Sequence, residues 1–293
     1  MGQFEQELCD YFQECGAGIC VERVNRSLYV IRCEGKGLAV ITVPLLYFEE
    51  GGSPEELMEV KRTAGGEDVL CLYEDRWRSS GPLVRSMLQV RLGMGSRVFA
   101  RNCEVREIGT EAAAVFLERN HLYGHARARY RFGLFRFRST GAGEATMDST
   151  QPLVAVAAFS KGREMTDGTM SYEWVRYASV RGVRIVGGMG RLLDAFVMDR
   201  TGKDCPGAFE VMTYCDLEWY DGRSYHRLGF EDAGLRPPVA FMCPVDGGRR
   251  IHEGKLTTDR RFRHLLQDGS GAGERMVRIL NTGSRKLILR CGV

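Results

Sequence analysis

The chain has 293 residues, of which 44% are hydrophobic and 27% are charged. These proportions are close to those of globular proteins and exclude a disordered, collagen-like or coiled-coil chain. The length predicts about two domains, each able to bury its own core. The net charge of +3 is too small to indicate a nucleic-acid or membrane partner. Residues 1–60 nevertheless carry four basic against eleven acidic side chains, so any anion-binding surface is expected later in the chain.

Targeting and cysteine patterns predict a protein of the cytoplasm with no membrane partner. The N-terminus is acidic and lacks a basic segment followed by an apolar run, and Gln6 does not fit a myristoylation motif. No apolar stretch approaches the roughly 18 residues that span a bilayer. Ten cysteines without a Cys-x-x-Cys pair indicate reduced, mostly buried thiols rather than a zinc site or a disulfide framework.

The N-terminal third predicts helices alternating with short strands. Phe4, Leu8, Tyr11 and Phe12 recur at helical spacing, and Ser53 followed by Pro54 is typical of a helix start. The predicted elements are a helix over 4–12, hairpin strands over 27–33 and 38–43, a helix over 53–62, a strand over 69–73 and a helix over 79–91.

The remainder predicts a mixed sheet with helices and a ligand crevice, which makes the fold class α/β (α+β). A Gly/Ser/Thr-rich segment over 139–151 predicts a flexible connection between two strands. The predicted elements are a helix over 111–118, strands over 130–137, 152–160, 172–180 and 209–214, a helix after 187–190, and a short helix over 225–230.

A glycine-rich turn between a strand and a helix predicts an anion site. Helix-start amides and the helix dipole converge on such a turn, and glycine lets an anion approach the backbone. A tight turn that only packs helix on strand is the alternative. The predicted binding residues are Val186, Gly187, Gly188, Met189 and Gly190, with the nearby cations Arg184 and Arg191.

Two parts of the chain together resemble a family of phage and bacterial proteins. In that family a restriction-endonuclease-like (very-short-patch-repair-like) domain precedes an acetyltransferase-like domain. The first part of the resemblance is carried by residues 73–77 (YEDRW), 83–87 (LVRSM) and 99–108 (FARNCEVREI). The resemblance implies a nuclease-like domain over 1–95.

The nuclease-like domain lacks the metal-holding residues that such enzymes need. The place expected for the second metal-binding element holds Ile41, Thr42 and Val43, with neither a carboxylate nor a lysine. Four acidic residues remain as candidates for a different metal site, although solvated loop carboxylates are the favoured alternative: Glu49, Glu50, Glu74 and Asp75. We therefore expect no nuclease activity and no metal.

The second part resembles the GCN5-related N-acetyltransferase (GNAT) superfamily. The residues that carry this resemblance are His121, Gly124, Gly187, Gly188, Tyr214, Asp216, Trp219, Gly222 and the segment 225–230. The resemblance implies a GNAT-like domain over 96–255, followed by a basic C-terminal extension over 256–293. It also implies that acetyl-CoA is the co-substrate, with its pyrophosphate on the glycine turn, and that the acceptor is an amine. The superfamily's usual Gln or Arg before the glycines is replaced by Ile185, with Arg184 one position away.

The same resemblance implies a base and an acid for direct acetyl transfer. Tyr225 occupies the place of the acid, or alternatively packs the short helix on the sheet. Glu173 is the first candidate for the base, and an exposed strand residue or an ion-pair partner of Arg176 is the alternative. His121 and Asp216 are further candidates, although a loop histidine is more often structural.

Arginines in the second half indicate a competing function. Arg127, Arg129 and Arg131 alternate, which on a strand places them on one face among aromatic residues, as in single-stranded nucleic-acid binders. Residues 256–293 form a second basic region, in which Arg260, Arg261 and Arg263 lie on a predicted helix that ends at the linker 269–273. The alternatives to an acetyltransferase are a nucleic-acid-binding module of a phage, mobile-element or defence protein, and a GNAT-fold interaction scaffold. A solvated strand face remains the simpler explanation of the arginines.

Overall fold

The computed structural model describes residues 1–65, 68–139, 145–146, 151–203, 207–259 and 275–292. The chain folds into two compact units. The first unit contains residues 1–85, 215–221 and 235–285, and the second contains residues 86–214, 222–234 and 286–293. The fold is mixed α and β, as predicted.

The first unit begins with the predicted helices and strands and with two elements that were not predicted, a strand over Ile19–Arg23 and a helix over Glu74–Ser79. Its elements are α1 Gln3–Glu14, β1 Ile19–Arg23, β2 Tyr29–Cys33, β3 Leu38–Val43, α2 Pro54–Thr63, β4 Asp68–Tyr73 and α3 Glu74–Ser79. The sheet order is β1-β2-β3-β4, in which only β3 and β4 run parallel. The Ser53 side chain accepts a 3.1 Å hydrogen bond from the Glu56 amide, which confirms the predicted start of α2.

The chain then passes through α4 Gly81–Arg91 into the second unit. The elements up to the glycine turn are β5 Ser96–Phe99, β6 Cys103–Glu107, α5 Thr110–Asn120, β7 Tyr130–Arg136, β8 Arg138–Ser139, β9 Ala145–Thr146, β10 Leu153–Phe159, β11 Arg163–Glu164, β12 Met170–Ser179 and β13 Val183–Val186. Those that follow it are α6 Gly188–Lys203, β14 Phe209–Asp216, α7 Arg223–His226 and β15 Glu231–Arg236.

The C-terminal part supplies strands to two sheets. Its elements are β16 Ala240–Pro244, β17 Ile251–His252, α8 Glu253–Thr258, β18 Met276–Leu280 and β19 Ser284–Cys291. Strands β17, β16 and β18 form an antiparallel sheet of the first unit. Strand β19 lies between β14 and β15 in the main sheet, so this part of the predicted basic extension is strand. The predicted helix with Arg260, Arg261 and Arg263, and the linker 269–273, lie outside the described residues.

The main sheet has the strand order β15-β19-β14-β12-β10-β7-β6, with β11 beside β12. Helices cover both faces of the main sheet, and alternate residues of β10 point to opposite faces and contact different helices. On one face Leu117 of α5 packs against Val156. On the other, Phe196 of α6 stacks on Phe159, with 3.9 Å between ring centroids. These two apolar layers hold α5 and α6 in place and so fix the glycine turn at the start of α6.

One sequence-based prediction is wrong, and another is confirmed for the described residues. Strand β7 begins at Tyr130, so Arg127 and Arg129 precede it and the prediction of three arginines on one strand face is wrong. The reason is pairing, since the ladder between β7 and β10 ends at Tyr130 opposite Phe159. Most of the described cysteines are buried, as predicted, whereas Cys205 lies outside the described residues.

Candidate functional site

The glycine turn between β13 and α6 has a left-handed residue and side chains packed closely against its backbone. Gly187 has φ of 77°, a left-handed conformation that favours glycine. A Cβ on Gly188 would lie 2.6 Å from Cγ2 of Ile185 and 3.0 Å from the Tyr177 hydroxyl oxygen. The first helical hydrogen bond runs from the Arg191 amide to the Gly187 carbonyl, at 3.0 Å. The amides before Arg191 have no carbonyl of a preceding helical turn to bond, as at every helix start.

A shallow cavity of about 360 Å³, widely open to solvent, lies at this turn. Its lining residues are Phe99, Ala100, Arg101, Val186, Gly187, Gly190, Arg191 and Asp194. Of the predicted anion-binding residues, Val186, Gly187, Gly190 and Arg191 line the cavity. Gly188 is buried, and Met189 is half-buried beside it in the chain. The cavity lining therefore has a net positive charge, because it contains the guanidinium groups of Arg101 and Arg191 and one carboxylate, that of Asp194.

Half of the cavity lining was missed by sequence reasoning. Strand β13 pairs in parallel with β5 in a separate two-stranded sheet, which brings residues 99–101 to the glycine turn. The segments lie more than 80 positions apart and carry no shared motif. Arg184 is exposed on β13 and pairs in register with Arg97 rather than lining the cavity.

Strands β12 and β14 run parallel but pair over only part of their length. Their register joins four residue pairs and ends where Glu173 lies beside Met212, whereas both strands continue. On its other side, β12 pairs with β10 and contains a bulge at Val175. Bulges and the carboxyl ends of parallel strands are places where ligands commonly bind. The glycine turn and α6 belong to the connection between these two strands.

Glu173 lies at the last position of β12 that pairs with β14. Its side chain is half-buried, and burial raises the pKa of Glu173 above its ordinary value, although the charge of Arg176 opposes this shift. The Arg176 Nε donates a 3.2 Å hydrogen bond to the carbonyl of Gly124, which follows α5. A carboxylate with a raised pKa is a stronger base than an ordinary glutamate, and such groups often lie at functional sites.

Tyr225 lies in the four-residue helix α7 and is half-buried. Its ring meets Trp174 edge to face at 5.8 Å and Phe230 at 5.6 Å, measured between centroids. These aromatic contacts support the predicted packing role. They place the Tyr225 ring on the face of the sheet to which Trp174 points, whereas the neighbouring Glu173 points to the opposite face.

The two other catalytic candidates take part in local turns. The Nδ1 of His121 accepts a 3.1 Å hydrogen bond from the Tyr123 amide just after α5. Asp216 accepts a 2.9 Å hydrogen bond from the Glu218 amide at the end of β14. Asp216 belongs to the first unit, whereas Glu173, Tyr225 and His121 belong to the second.

The acidic candidates for a metal site are engaged in other contacts. Glu74 bonds the Leu45 amide at 2.7 Å and pairs with Arg78. Glu49 pairs with Arg275 at 2.7 Å, and Glu50 accepts a hydrogen bond from the Ser27 hydroxyl. Glu74 and Asp75 are buried, so describing them as solvated loop residues is wrong. No cluster of three potential metal ligands occurs within the described parts of the chain.

Asp75 instead belongs to a buried ion cluster that sequence reasoning missed. Arg250 binds both carboxylate oxygens of Asp75 and one of Glu218, each at 2.7 Å. The three side chains are at most 1% exposed. Burial raises the pKa of Glu218 to about 7, and the charge of Arg250 opposes this shift. The partners are up to 175 positions apart, so no spacing signal identifies them.

The predicted nucleic-acid residues differ in exposure. Arg127 and Arg129 are exposed, and the Arg129 guanidinium lies 5.9 Å from the centre of the Tyr130 ring. Arg131 is half-buried and donates a hydrogen bond to the Ala128 carbonyl. Arg131 therefore stabilises the start of β7, and only Arg127 and Arg129 present their charges to solvent.

In comparisons with known proteins, no protein-family model and no curated protein matches this chain. Within the described residues, no helix combines the length and the apolar character needed to cross a membrane. The geometry of the glycine turn, its cavity and the strand gap therefore carries the functional argument.

Proposed function

We propose that the second unit is a GNAT-like acyltransferase that uses acetyl-CoA and transfers its acetyl group to an amine. The carrying observation is the cavity at the start of α6, where a glycine turn meets Arg101 and Arg191. Helix-start amides bind phosphate oxygens, and guanidinium groups add charge-assisted hydrogen bonds. The pyrophosphate of acetyl-CoA has this chemistry.

The gap between β12 and β14 supports a place for the rest of the co-substrate. Beyond Glu173 and Met212 the two backbones no longer pair, and the Thr213 hydroxyl donates a 3.0 Å hydrogen bond to the Trp174 carbonyl at the start of the gap. An extended chain with amide groups, such as the pantetheine arm of CoA, can hydrogen-bond to strand backbone in such a gap. The thioester at the end of that arm would then lie among residues of β12, β14 and α7.

Glu173 and Tyr225 supply the two proton-transfer groups in this proposal, and they approach a thioester in the strand gap from opposite faces of the sheet. The amine nitrogen attacks the thioester carbonyl carbon and forms the C–N bond while Glu173 accepts the amine proton. The C–S bond then breaks, the electron pair leaves with sulfur, and Tyr225 donates its phenolic proton to the thiolate. Glu173 is preferred to His121 as base because the Nδ1 of His121 already accepts a backbone hydrogen bond.

Ligand-dependent stability and thiol release test the acyltransferase proposal together. A ligand at 100 times its Kd that binds only the folded state adds about 2.7 kcal/mol to the free energy of unfolding. We expect acetyl-CoA and CoA to raise the melting temperature, and a panel of primary amines to include one that releases CoA thiol. Absence of stabilisation by either ligand at millimolar concentration would reject the proposal.

The first 95 residues are proposed to be a nuclease-like domain without an active site. The order of α1, three strands, α2 and β4 supports the resemblance, and Ile41, Thr42 and Val43 are buried where such enzymes hold a metal-binding residue. We expect no cleavage of plasmid DNA with Mg²⁺ or Mn²⁺. Metal-dependent nicking or linearisation would contradict this assignment.

A second candidate function is nucleic-acid binding through Arg127 and Arg129. The observation in its favour is their exposure beside the aromatic ring of Tyr130. Phosphate contacts make binding strongly salt-dependent. If this function holds, the Arg127→Ala, Arg129→Ala double variant elutes from heparin at lower salt than the unaltered protein and loses affinity for single-stranded DNA. Arg163→Ala, which removes an exposed charge from β11, is the control.

A further inference from the structure

One face of the small sheet formed by β5 and β13 carries two arginines and two apolar side chains in register. The parallel pairing places Arg97 beside Arg184 and Phe99 beside Val186. Alternate residues of a strand point to the same side, so the four side chains share one face. All four are exposed, and 41% of Phe99 and 40% of Val186 is accessible to solvent.

Arg97 and Arg184 lie opposite each other on neighbouring strands. Like charges directly opposite each other on neighbouring strands repel and destabilise the pair. Neither Arg97 nor Arg184 has an ion pair with a carboxylate among the residues that the structure describes. A phosphate between the two guanidinium groups would accept hydrogen bonds from both and remove their repulsion.

Phe99 and Val186 belong both to the face that carries Arg97 and Arg184 and to the cavity lining. Phe99 and Val186 line the cavity together with Arg101 and Arg191. The Arg101 guanidinium lies 5.0 Å from the centre of the Phe99 ring. Asp194 is the one carboxylate of the lining, so the cavity and the adjoining face together present four guanidinium groups against one negative charge.

We infer that this face binds the 3′-phosphorylated adenosine end of CoA. Arg97 and Arg184 hold the 3′-phosphate, while Phe99 and Val186 form the apolar surface under the adenine. The inference rests on the proposed function, because that function places the pyrophosphate at the adjoining glycine turn. The distance fits a nucleotide, since three strand residues from Arg184 to Gly187 span about 10 Å.

A ligand that lacks the 3′-phosphate tests whether this face binds that group. Calorimetric titration compares CoA with dephospho-CoA, which lacks only the 3′-phosphate. We expect dephospho-CoA to bind about tenfold more weakly or worse, because charge-assisted hydrogen bonds from two arginines are lost. The Arg97→Ala, Arg184→Ala double variant should bind CoA as weakly as dephospho-CoA and leave the affinity for dephospho-CoA unchanged. Arg163→Ala removes one exposed charge elsewhere in the second unit and should preserve the preference.

The adenine surface is tested separately with Phe99→Ala. This variant should weaken CoA and dephospho-CoA by the same factor, and adenosine 3′,5′-bisphosphate should compete with CoA for the unaltered protein. Because Phe99 is exposed, its truncation leaves the buried core intact.

The outcomes separate this inference from the function on which it rests. Equal affinities of the unaltered protein for CoA and dephospho-CoA would reject the 3′-phosphate site and leave the acyltransferase proposal standing. A preference for CoA that survives loss of both arginines would also reject it. Binding of neither compound would reject the proposed function and the inference together.

Discussion

Arg250 in the first unit and the arginines around the glycine turn in the second unit have contrasting roles. In the first unit, Arg250 is buried and held by Asp75 and Glu218. In the second unit, exposed arginines surround the glycine turn and the small sheet next to it. A buried guanidinium needs fixed carboxylate partners, whereas an exposed guanidinium can exchange water for a ligand anion. Burial and pairing, rather than the count of positive charges, therefore separate structural arginines from candidate binding arginines.

The largest expected effect comes from removing the buried cation. Arg250→Met should lower the free energy of unfolding by about 3–5 kcal/mol, because Asp75 and Glu218 lose their shared partner. Urea unfolding measures the change. Arg278→Ala breaks an exposed pair with Glu253 in the same unit and should cost at most about 1 kcal/mol. If both variants lost the same free energy of unfolding, burial of the arginine would not determine its contribution to stability.

The next effect concerns catalysis in the second unit. Tyr225→Phe should lower kcat for acetyl transfer by about two orders of magnitude, because the departing thiolate loses its acid. The aromatic packing on Trp174 is retained, so the melting temperature and the Kd for CoA should change little. Steady-state kinetics and calorimetry measure both quantities. Unchanged turnover would assign Tyr225 to packing alone.

A side chain in the glycine turn should have an intermediate effect. Gly188→Ala would place a Cβ 2.6 Å from Ile185, and we expect overpacking to cost about 1–3 kcal/mol of stability and to weaken CoA binding. Gly207→Ala is the matched control, because a Cβ there meets no atom within 4 Å. Denaturant unfolding and CoA titration compare the two. An unperturbed Gly188→Ala protein would mean that the turn does not require its close packing.

The smallest predicted effect is a shift in pH dependence. Burial raises the pKa of Glu173, and a general base acts only when deprotonated. The acid limb of kcat/KM should therefore lie above the roughly 4.3 of an ordinary glutamate, with activity rising as pH increases through the raised pKa. Glu173→Gln should abolish that limb and lower the rate. A limb that persists in Glu173→Gln belongs to another group.

Local elements were predictable where neighbouring residues determine them. Strand β3 was predicted with its observed bounds, and the strand before it differs at one end. The start of α2 was also correct, because Ser53 and Pro54 provide a cap and a fixed φ within two residues. The arginines near β7 were misplaced because a ladder with β10, and not the alternating pattern, decides where that strand begins.

Only the part of the candidate site that the glycine turn and the start of α6 contribute was predictable from the sequence. The strand, glycine turn and helix start are contiguous, so residues 186–191 were found from local chemistry. Phe99, Ala100 and Arg101 were missed, because β5 reaches the turn only through parallel pairing with β13. Asp194 lies within α6 and carries no motif that marks it as part of the cavity. The sequence by itself determined the local elements, the acidic beginning of the chain and the glycine turn, since these depend on residues close in the chain. Tertiary structure alone decided which arginines are buried and which surround the cavity, because burial and partners depend on contacts between distant segments.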